Sequence, residues 1–78
     1  MRTMTVYVKD GTRFYFHYRN DEAWCTRHKG NHWNLNEIDE SSINAVVGEP
    51  LSFIDYYGSG ILEYYESDTP IIKIEYYD

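Results

Sequence analysis

The chain has 78 residues, one cysteine and a formal net charge of −6. So short a chain forms one domain, residues 1–78, whose small core leaves little room for a deep enzymatic cleft. Cys25 has no cysteine partner, which excludes an internal disulfide and favours the cytoplasm. The first residues are polar, and every apolar run is short, so we expect neither a signal peptide nor a membrane-spanning segment.

Charge is distributed unevenly along the chain. Residues 1–36 have an excess of Lys and Arg, whereas residues 49–78 contain seven carboxylates and Lys73 as their only cation. The acidic half is also rich in Tyr, Ile and Leu, so we expect it to fold rather than to form a solvated tail.

A β-hairpin is predicted at the start of the chain. Residues 4–8 and 12–18 alternate between apolar and polar side chains, as strands do. A three-residue loop, Lys9-Asp10-Gly11, with Gly11 in the left-handed conformation, places all the apolar residues on one face. It pairs Val8 with Thr12, Val6 with Phe14 and Met4 with Phe16. A two-residue Asp10-Gly11 loop would mix the faces by placing Val6 opposite Tyr15.

A second pair of strands is predicted over residues 23–27 and 32–36. Turns are expected at 20–22 before the pair and at 28–31 within it. Trp24 and Trp33 are then expected to be partners across the pair.

One helix is predicted, over residues 40–47. Asp39 is a favourable N-cap, and Ile38 and Ile43 are spaced for a hydrophobic staple. Gly48 followed by Pro50 ends the segment. So short a helix would have to pack on the sheet. The alternative is a turn followed by a strand over Ile43–Val47.

The acidic half is predicted to contain three more strands, over residues 51–57, 61–66 and 71–77, separated by turns at 58–60 and 67–70. The fold class is therefore α+β: a single small domain, mostly antiparallel sheet of about five to seven strands, with one short helix. If the last strand lies at an edge, it can pair with its own copy in a homodimer.

A phrase of one aliphatic residue, one carboxylate and two tyrosines occurs three times, at 54–57, 62–65 and 74–77. Period-two alternation predicts that the aliphatic residue and first tyrosine face the core, while the carboxylate and second tyrosine face solvent. Pairing of the last two strands would then gather Glu63, Tyr65, Glu75 and Tyr77 into one exposed patch. The predicted partner-binding residues are Asp55, Tyr57, Glu63, Tyr65, Glu66, Asp68, Glu75 and Tyr77.

Such a patch combines fixed negative charge with large rigid rings. Carboxylates along twisted strands can imitate phosphates, and tyrosines anchor protein contacts. The patch therefore favours binding to the basic channel of a protein that normally holds nucleic acid.

An alternative partner is RNA or single-stranded DNA. The outer face of the first hairpin would interleave cations and rings, through Tyr7, Arg13, Tyr15, His17 and Arg19. Bases stack on aromatic side chains in this way, although the net negative charge opposes phosphate binding.

Catalysis and metal binding have weaker signals. Cys25, His28 and His32 are spaced as zinc ligands can be, and His17 is a possible fourth, but paired C-x2-C motifs are absent. No nucleophile motif or phosphate loop occurs, so the protein is predicted not to be an enzyme and to need no cofactor.

In size, acidity and β-rich pattern the chain resembles two groups. One comprises small phage-encoded inhibitors of nucleic-acid enzymes: anti-CRISPR proteins, anti-restriction proteins and uracil-DNA glycosylase inhibitors. The other comprises immunity proteins that neutralise nuclease toxins. The similarity to the glycosylase inhibitors lies in their helix-turn-strand segment. It is carried by Glu40-Ser41, Val46-Val47-Gly48, Pro50 and residues 65–68. The resemblance implies a stoichiometric inhibitor in the host cytoplasm, with a Cas effector or DNA-repair enzyme as its target.

Overall fold

The computed structural model describes residues 2–19, 22–57 and 61–77, with only the backbone of Arg2, Arg19, Tyr57 and Ile61. These residues form six strands: β1 Arg2–Val8, β2 Arg13–Arg19, β3 Glu22–Lys29, β4 His32–Asn44, β5 Pro50–Tyr57 and β6 Ile61–Tyr77. Each strand pairs antiparallel with the next, and β6 also pairs with β1, which closes a barrel. The predicted antiparallel sheet is confirmed. The described residues contain no helix, so the α+β class is wrong. Accordingly, none of them forms a helix long and apolar enough to cross a membrane.

Side chains fill the barrel. Phe14, Phe16 and Leu51 are fully buried, and Phe53 is almost so. The Phe53 ring lies 5.7 Å from Phe16 and 5.1 Å from Tyr65, measured between centroids. Six strands enclose too narrow a space for a central ligand cavity, so the interior is a packed core.

The first hairpin has the predicted register. Val6 pairs with Phe14 and Met4 with Phe16. Gly11 has a φ of 94°, and the Val8 N–H donates to the Thr12 carbonyl at 3.2 Å. The three-residue loop is therefore confirmed, because only this register directs all the apolar residues of both strands inward.

The second pair of strands is longer than predicted. A two-residue turn at Gly30 and Asn31 sets Lys29 opposite His32. This register brings Trp33 to His28 and Trp24 to Glu37, so the expected pairing of the two tryptophans is wrong. Of the turn predicted at 20–22, the first two positions lie outside the described residues, and Glu22 belongs to β3.

No helix forms over residues 40–47: residues 40–44 are a bulged continuation of β4, whose pairing with β5 is interrupted between Asp39 and Asn44, and residues 45–47 follow the end of the strand. Asp39 Oδ1 accepts from the Ser41 N–H at 3.1 Å, as an N-cap would, but here the bond stabilises the bulge. Ser42 Oγ accepts from the Ile54 N–H at 2.7 Å and thus replaces a backbone acceptor. The alternative strand over Ile43–Val47 is right only for its first two residues, because β4 ends at Asn44.

The turn predicted at 67–70 is also a bulge. Here β6 remains a strand while it passes from β5 to β1. Ser67 Oγ accepts from the Leu51 N–H at 2.9 Å and donates to the Thr69 carbonyl at 2.8 Å. Thr69 Oγ1 accepts from the Asp10 N–H at 3.1 Å. The turn predicted at 58–60 lies outside the described residues.

The last segment of the chain is not a free edge. It pairs with β1 throughout, with Ile74 opposite Val6. The edge through which a homodimer was expected is therefore already occupied within the chain.

Candidate functional site

The eight predicted binding residues do not form one patch. Asp55 pairs with the buried Ile38, Tyr65 pairs with the buried Phe53, and Glu63 pairs with Asp55. These three residues therefore lie on the inner side of β5 and β6. The others lie elsewhere: Glu66 on the outer side of β6, Asp68 at a cavity rim, and Glu75 and Tyr77 near β1. The side chain of Tyr57 lies outside the described residues.

The last two predicted strands do not pair with each other, which the exposed patch required, because they are two halves of one strand with different neighbours. Tyr65 pairs with Phe53 of β5, whereas Glu75 pairs with Thr5 of β1. In the first half, Tyr65 faces the core because it pairs with the buried Phe53, and the residues on either side of Tyr65 then face outward. Leu62 and Tyr64, expected in the core, are 61% and 64% exposed.

The inversion produces a different acidic, tyrosine-rich surface, which we call the β5–β6 face. It consists of Asp39, Tyr56, Leu62, Tyr64 and Glu66. Cross-strand register connects them: Tyr64 and Asp39 both pair with Ile54, and Leu62 pairs with Tyr56. The Tyr64 hydroxyl donates to Glu66 Oε2 at 3.1 Å, so a ring and a carboxylate are presented together. Exposed apolar area of this kind, bordered by charge, is typical of protein-binding sites.

A shallow concavity of about 590 Å³ adjoins this face. It is lined by carboxylate-bearing residues of β4, namely Glu37, Asp39 and Glu40, together with the Tyr56 ring. The β4 bulge shapes it, since it turns the strand away from β5 between Asp39 and Asn44. The concavity extends the negative surface beside the exposed tyrosines.

Glu75 is less available to a partner than the sequence predicts. Tyr7 Oη donates to Glu75 Oε1 at 2.7 Å, and Lys73 Nζ lies 3.6 Å from Glu75 Oε2. The Tyr7 hydrogen bond lowers the pKa of Glu75, and the same bond raises the pKa of Tyr7 to about 12. The carboxylate is therefore largely engaged within the molecule.

A polar cluster lies on the inner side at one end of the barrel. Arg27 stacks on Tyr65, with its Cζ 5.2 Å from the ring centroid, and Asn36 Nδ2 donates to Asp55 Oδ2 at 3.0 Å. Asp55 Oδ1 is buried and has no hydrogen-bond partner among the described residues. Desolvation, and then the nearby Glu63, raise the pKa of Asp55.

The outer surface of the other strands is aromatic and basic. Register aligns Lys73, Tyr7, Arg13, His28 and Trp33 in one row across five strands, which we call the front face. His28 stacks on Trp33 at 6.5 Å between ring centroids, and Lys73 Nζ lies 5.6 Å from the centre of the Tyr7 ring. The sequence located the hairpin part of this face but missed Lys73, His28 and Trp33. Lys73 joins the face only through barrel closure, and the two others join it because the β3–β4 turn has only two residues.

The possible zinc ligands do not converge. Cys25 is buried inside the barrel, where desolvation raises its pKa. His28 lies on the outer side of the same strand, and His32 is the exposed first residue of β4. Among the described residues no three His, Cys, Asp or Glu side chains are placed to hold one metal ion.

Comparison with known proteins gives no relative. No protein-family model matches the chain. The curated proteins and the solved structures likewise contain no match.

Proposed function

We propose that this protein is a stoichiometric inhibitor that acts by binding and not by catalysis, and that its contact surface is the β5–β6 face. The observation that carries the proposal is the exposure of Tyr64 and Leu62 next to Glu66 and Asp39. Neighbouring exposed apolar side chains that are bordered by carboxylates are typical of a surface that a partner covers.

The partner that fits is the basic, nucleic-acid-binding channel of a protein. Carboxylates on adjacent strands complement Lys and Arg side chains that normally hold phosphates, and Tyr64 supplies the buried ring typical of a binding hot spot. A Cas effector nuclease is the first target we propose, followed by uracil-DNA glycosylases and restriction enzymes. A nuclease toxin would be recognised by the same chemistry. Such inhibition takes place in the cytoplasm, where these enzymes meet nucleic acid.

Affinity capture from the source cell, after nuclease treatment of the lysate, tests the proposal. The wild-type protein should retain a nucleic-acid-binding enzyme, and Tyr64→Ala should lose it. Because a central tyrosine contributes about 2 kcal/mol or more, dissociation should be about thirtyfold faster. The matched control is Tyr76→Ala, which removes a tyrosine that is 71% exposed on another part of the barrel.

Charge has a separate signature in the same complex. Neutralising the face with Glu66→Gln and Asp39→Asn should lower the association rate and weaken its salt dependence. Glu49→Gln with Glu22→Gln changes the net charge equally at exposed positions outside the face. Equal effects of the two pairs, or binding that is insensitive to salt, would contradict mimicry of nucleic acid.

A second candidate is binding of single-stranded RNA or DNA on the front face. The specific observation is its continuous series of ring contacts: Arg13 Cζ lies 6.0 Å from the Tyr15 ring centre, and Tyr15 lies 5.2 Å from His28. Bases can stack on such a platform. Salt-sensitive retention of an oligonucleotide in a mobility-shift assay, lost in Trp33→Ala, would favour this function over the first.

A further inference from the structure

A cavity of about 280 Å³ opens between the end of the β3–β4 hairpin, the β1–β2 loop and the middle of β6. We call it the hairpin cavity. Val8, Phe14 and Tyr65 are among its lining residues, and the first two belong to the buried core. It therefore has an apolar base and an open mouth, as small-molecule sites do.

The two walls of the hairpin cavity carry opposite charges. Arg27 pairs with Asn34 and Lys29 with His32, so all four side chains lie on the face of the hairpin that borders the cavity. The lining on the opposite side includes Asp10, from the β1–β2 loop, and Asp68, from β6. The charged ends of Lys29 and Asp10 are 4.0 Å apart.

Arg27 is the most informative residue of this cavity. Its guanidinium is half-buried against the Tyr65 ring, and in the amide orientation that satisfies its neighbours Asn34 accepts from Arg27 Nη2 at 2.8 Å. Within the described part of the chain, no carboxylate lies within ion-pair distance of it. A second cavity of about 350 Å³ shares Arg27, Asn34 and Tyr65. The guanidinium therefore borders two cavities and has N–H donors left for an oxyanion.

The balance of charges in the lining indicates what kind of charged ligand the cavity can bind. The positive charges of Arg27 and Lys29 equal the negative charges of Asp10 and Asp68 in number, so the lining has no net charge with His32 counted as neutral. A phosphate dianion would be attracted by one wall and repelled by the other. A molecule with a carboxylate at one end and an ammonium group at the other would complement both walls, and an aromatic substituent would pack on Tyr65.

We propose that the hairpin cavity is a binding site for a small zwitterion of the amino-acid class, with its carboxylate on Arg27, its ammonium group toward Asp10 and Asp68, and its side chain on Tyr65. This site is separate from the β5–β6 face and does not depend on the inhibitor function.

Nuclear magnetic resonance titration of the full isotope-labelled chain tests the proposal with three probes that share one side chain. L-Phenylalanine carries both charges, its N-acetyl derivative lacks the ammonium group, and its amide lacks the carboxylate. We expect saturable shifts near Asn34, Tyr65 and Ser67 with L-phenylalanine, and affinity about tenfold lower for each derivative. Equal affinity for either derivative, shifts centred elsewhere, or no saturable shift would overturn the proposal.

Variants localise the contact. Arg27→Gln should weaken L-phenylalanine binding about tenfold or more. Arg13→Gln, which removes an exposed arginine from the front face, should leave it unchanged. Asp68→Asn is at an exposed position that does not threaten folding, and it should reduce the preference for L-phenylalanine over its N-acetyl derivative. If that preference stays the same, the assignment of the anionic wall is wrong.

Discussion

Asp55 and Asp10 are carboxylates in opposite electrostatic situations. Asp55 faces inward with one oxygen buried and unpaired among the described residues, and desolvation raises its pKa. Asp10 lies at the surface, where Oδ1 accepts from the Thr12 N–H at 2.9 Å. Hydrogen bonds from Thr12, and then the charge of Lys29, lower the pKa of Asp10. Folding thus favours the neutral form of one aspartate and the charged form of the other.

The two aspartates should therefore contribute to stability with opposite dependence on pH. Protonated Asp55 contributes to the free energy of unfolding. This contribution is complete below the ordinary pKa of aspartate and is lost as pH rises through the raised pKa of Asp55 in the folded protein. Asp55→Asn, which keeps a neutral group, should stabilise the protein at neutral pH by about 0.5 kcal/mol, since water screens a partly buried carboxylate. In acid the variant and wild type should unfold alike.

Asp10→Asn is the matched comparison. The contribution of Asp10 is present above its ordinary pKa and is lost as pH falls through the lowered folded value. This variant should be less stable than wild type at neutral pH and equal to it in strong acid. Urea unfolding of all three proteins across this range measures both effects, and parallel stability curves would show that neither aspartate is coupled to folding.

At the scale of elements, serine hydroxyls substitute for backbone groups where register changes. Ser42 accepts from the Ile54 N–H and donates to the Asp39 carbonyl at 2.6 Å, and Ser67 serves the other bulge in the same way. Bulges let a strand bend and twist enough for a small barrel to close. The two irregular segments therefore let β4 and β6 bend, and the pairing of β6 with β1 closes the ring.

Ser42→Ala tests this role. The substitution leaves the partly buried Ile54 N–H without its acceptor, so the free energy of unfolding should fall by about 1–3 kcal/mol. Ser41→Ala is the control, because the Ser41 hydroxyl donates at the surface to Asp39 Oδ1 and the backbone bond to the same oxygen remains. Thermal or urea unfolding compares the two, and an equal loss would mean that the bulge does not depend on Ser42.

These bulges also mark the limit of what could be predicted from the sequence. The β1–β2 hairpin followed from Gly11 and clean alternation, because its register depends on local residues. Asp39 offers the same hydrogen bond to a helix or a bulge, and only pairing with β5 decides between them. Similarly, Ser67 to Pro70 has turn chemistry that the neighbouring strands use to bend β6 without ending it.

The surface that we propose for binding consists largely of residues that the sequence had assigned differently. Leu62 and Tyr64 alternate with polar residues as a core face would. Alternation within β6 cannot show that Tyr65 pairs with the buried Phe53 of β5 and therefore faces inward. For the same reason Asp55 was expected outside, although its partner Ile38 is buried. Which of the two alternating sets of side chains faces the core depends on the neighbouring strands of the closed sheet, so the pattern within a single strand does not determine it.

On the scale of the whole molecule, closure by β6 makes every strand dependent on all the others. Val6 and Val8 of β1 are almost completely buried, and β6 supplies Ile71 and Ile74 on the side opposite β2. A chain of 78 residues has a total stability of about 4–12 kcal/mol. Truncating a fully buried isoleucine alone costs about 2–5 kcal/mol. The barrel therefore has little stability to spare if one side opens.

A chain ending at Pro70 should for this reason fail to fold as a monomer. It loses Ile71 and Ile74 and leaves the hydrogen-bonding edge of β1 unpaired, and an unpaired edge promotes association. Circular dichroism and size-exclusion chromatography should show an unfolded or associated chain. A chain ending at Tyr76 keeps both isoleucines and should remain a folded monomer.

Adding the missing strand separately distinguishes loss of closure from general damage. A synthetic peptide covering residues 71–78 carries the pairing groups for β1, so it should restore the native spectrum of the shortened chain by strand addition. A peptide with Ile71→Asp and Ile74→Asp keeps the backbone but cannot enter the core, and it should fail. If the shortened chain folds as a monomer without any peptide, then pairing of β6 with β1 is dispensable, and β1 to β5 with the first half of β6 form a stable open sheet.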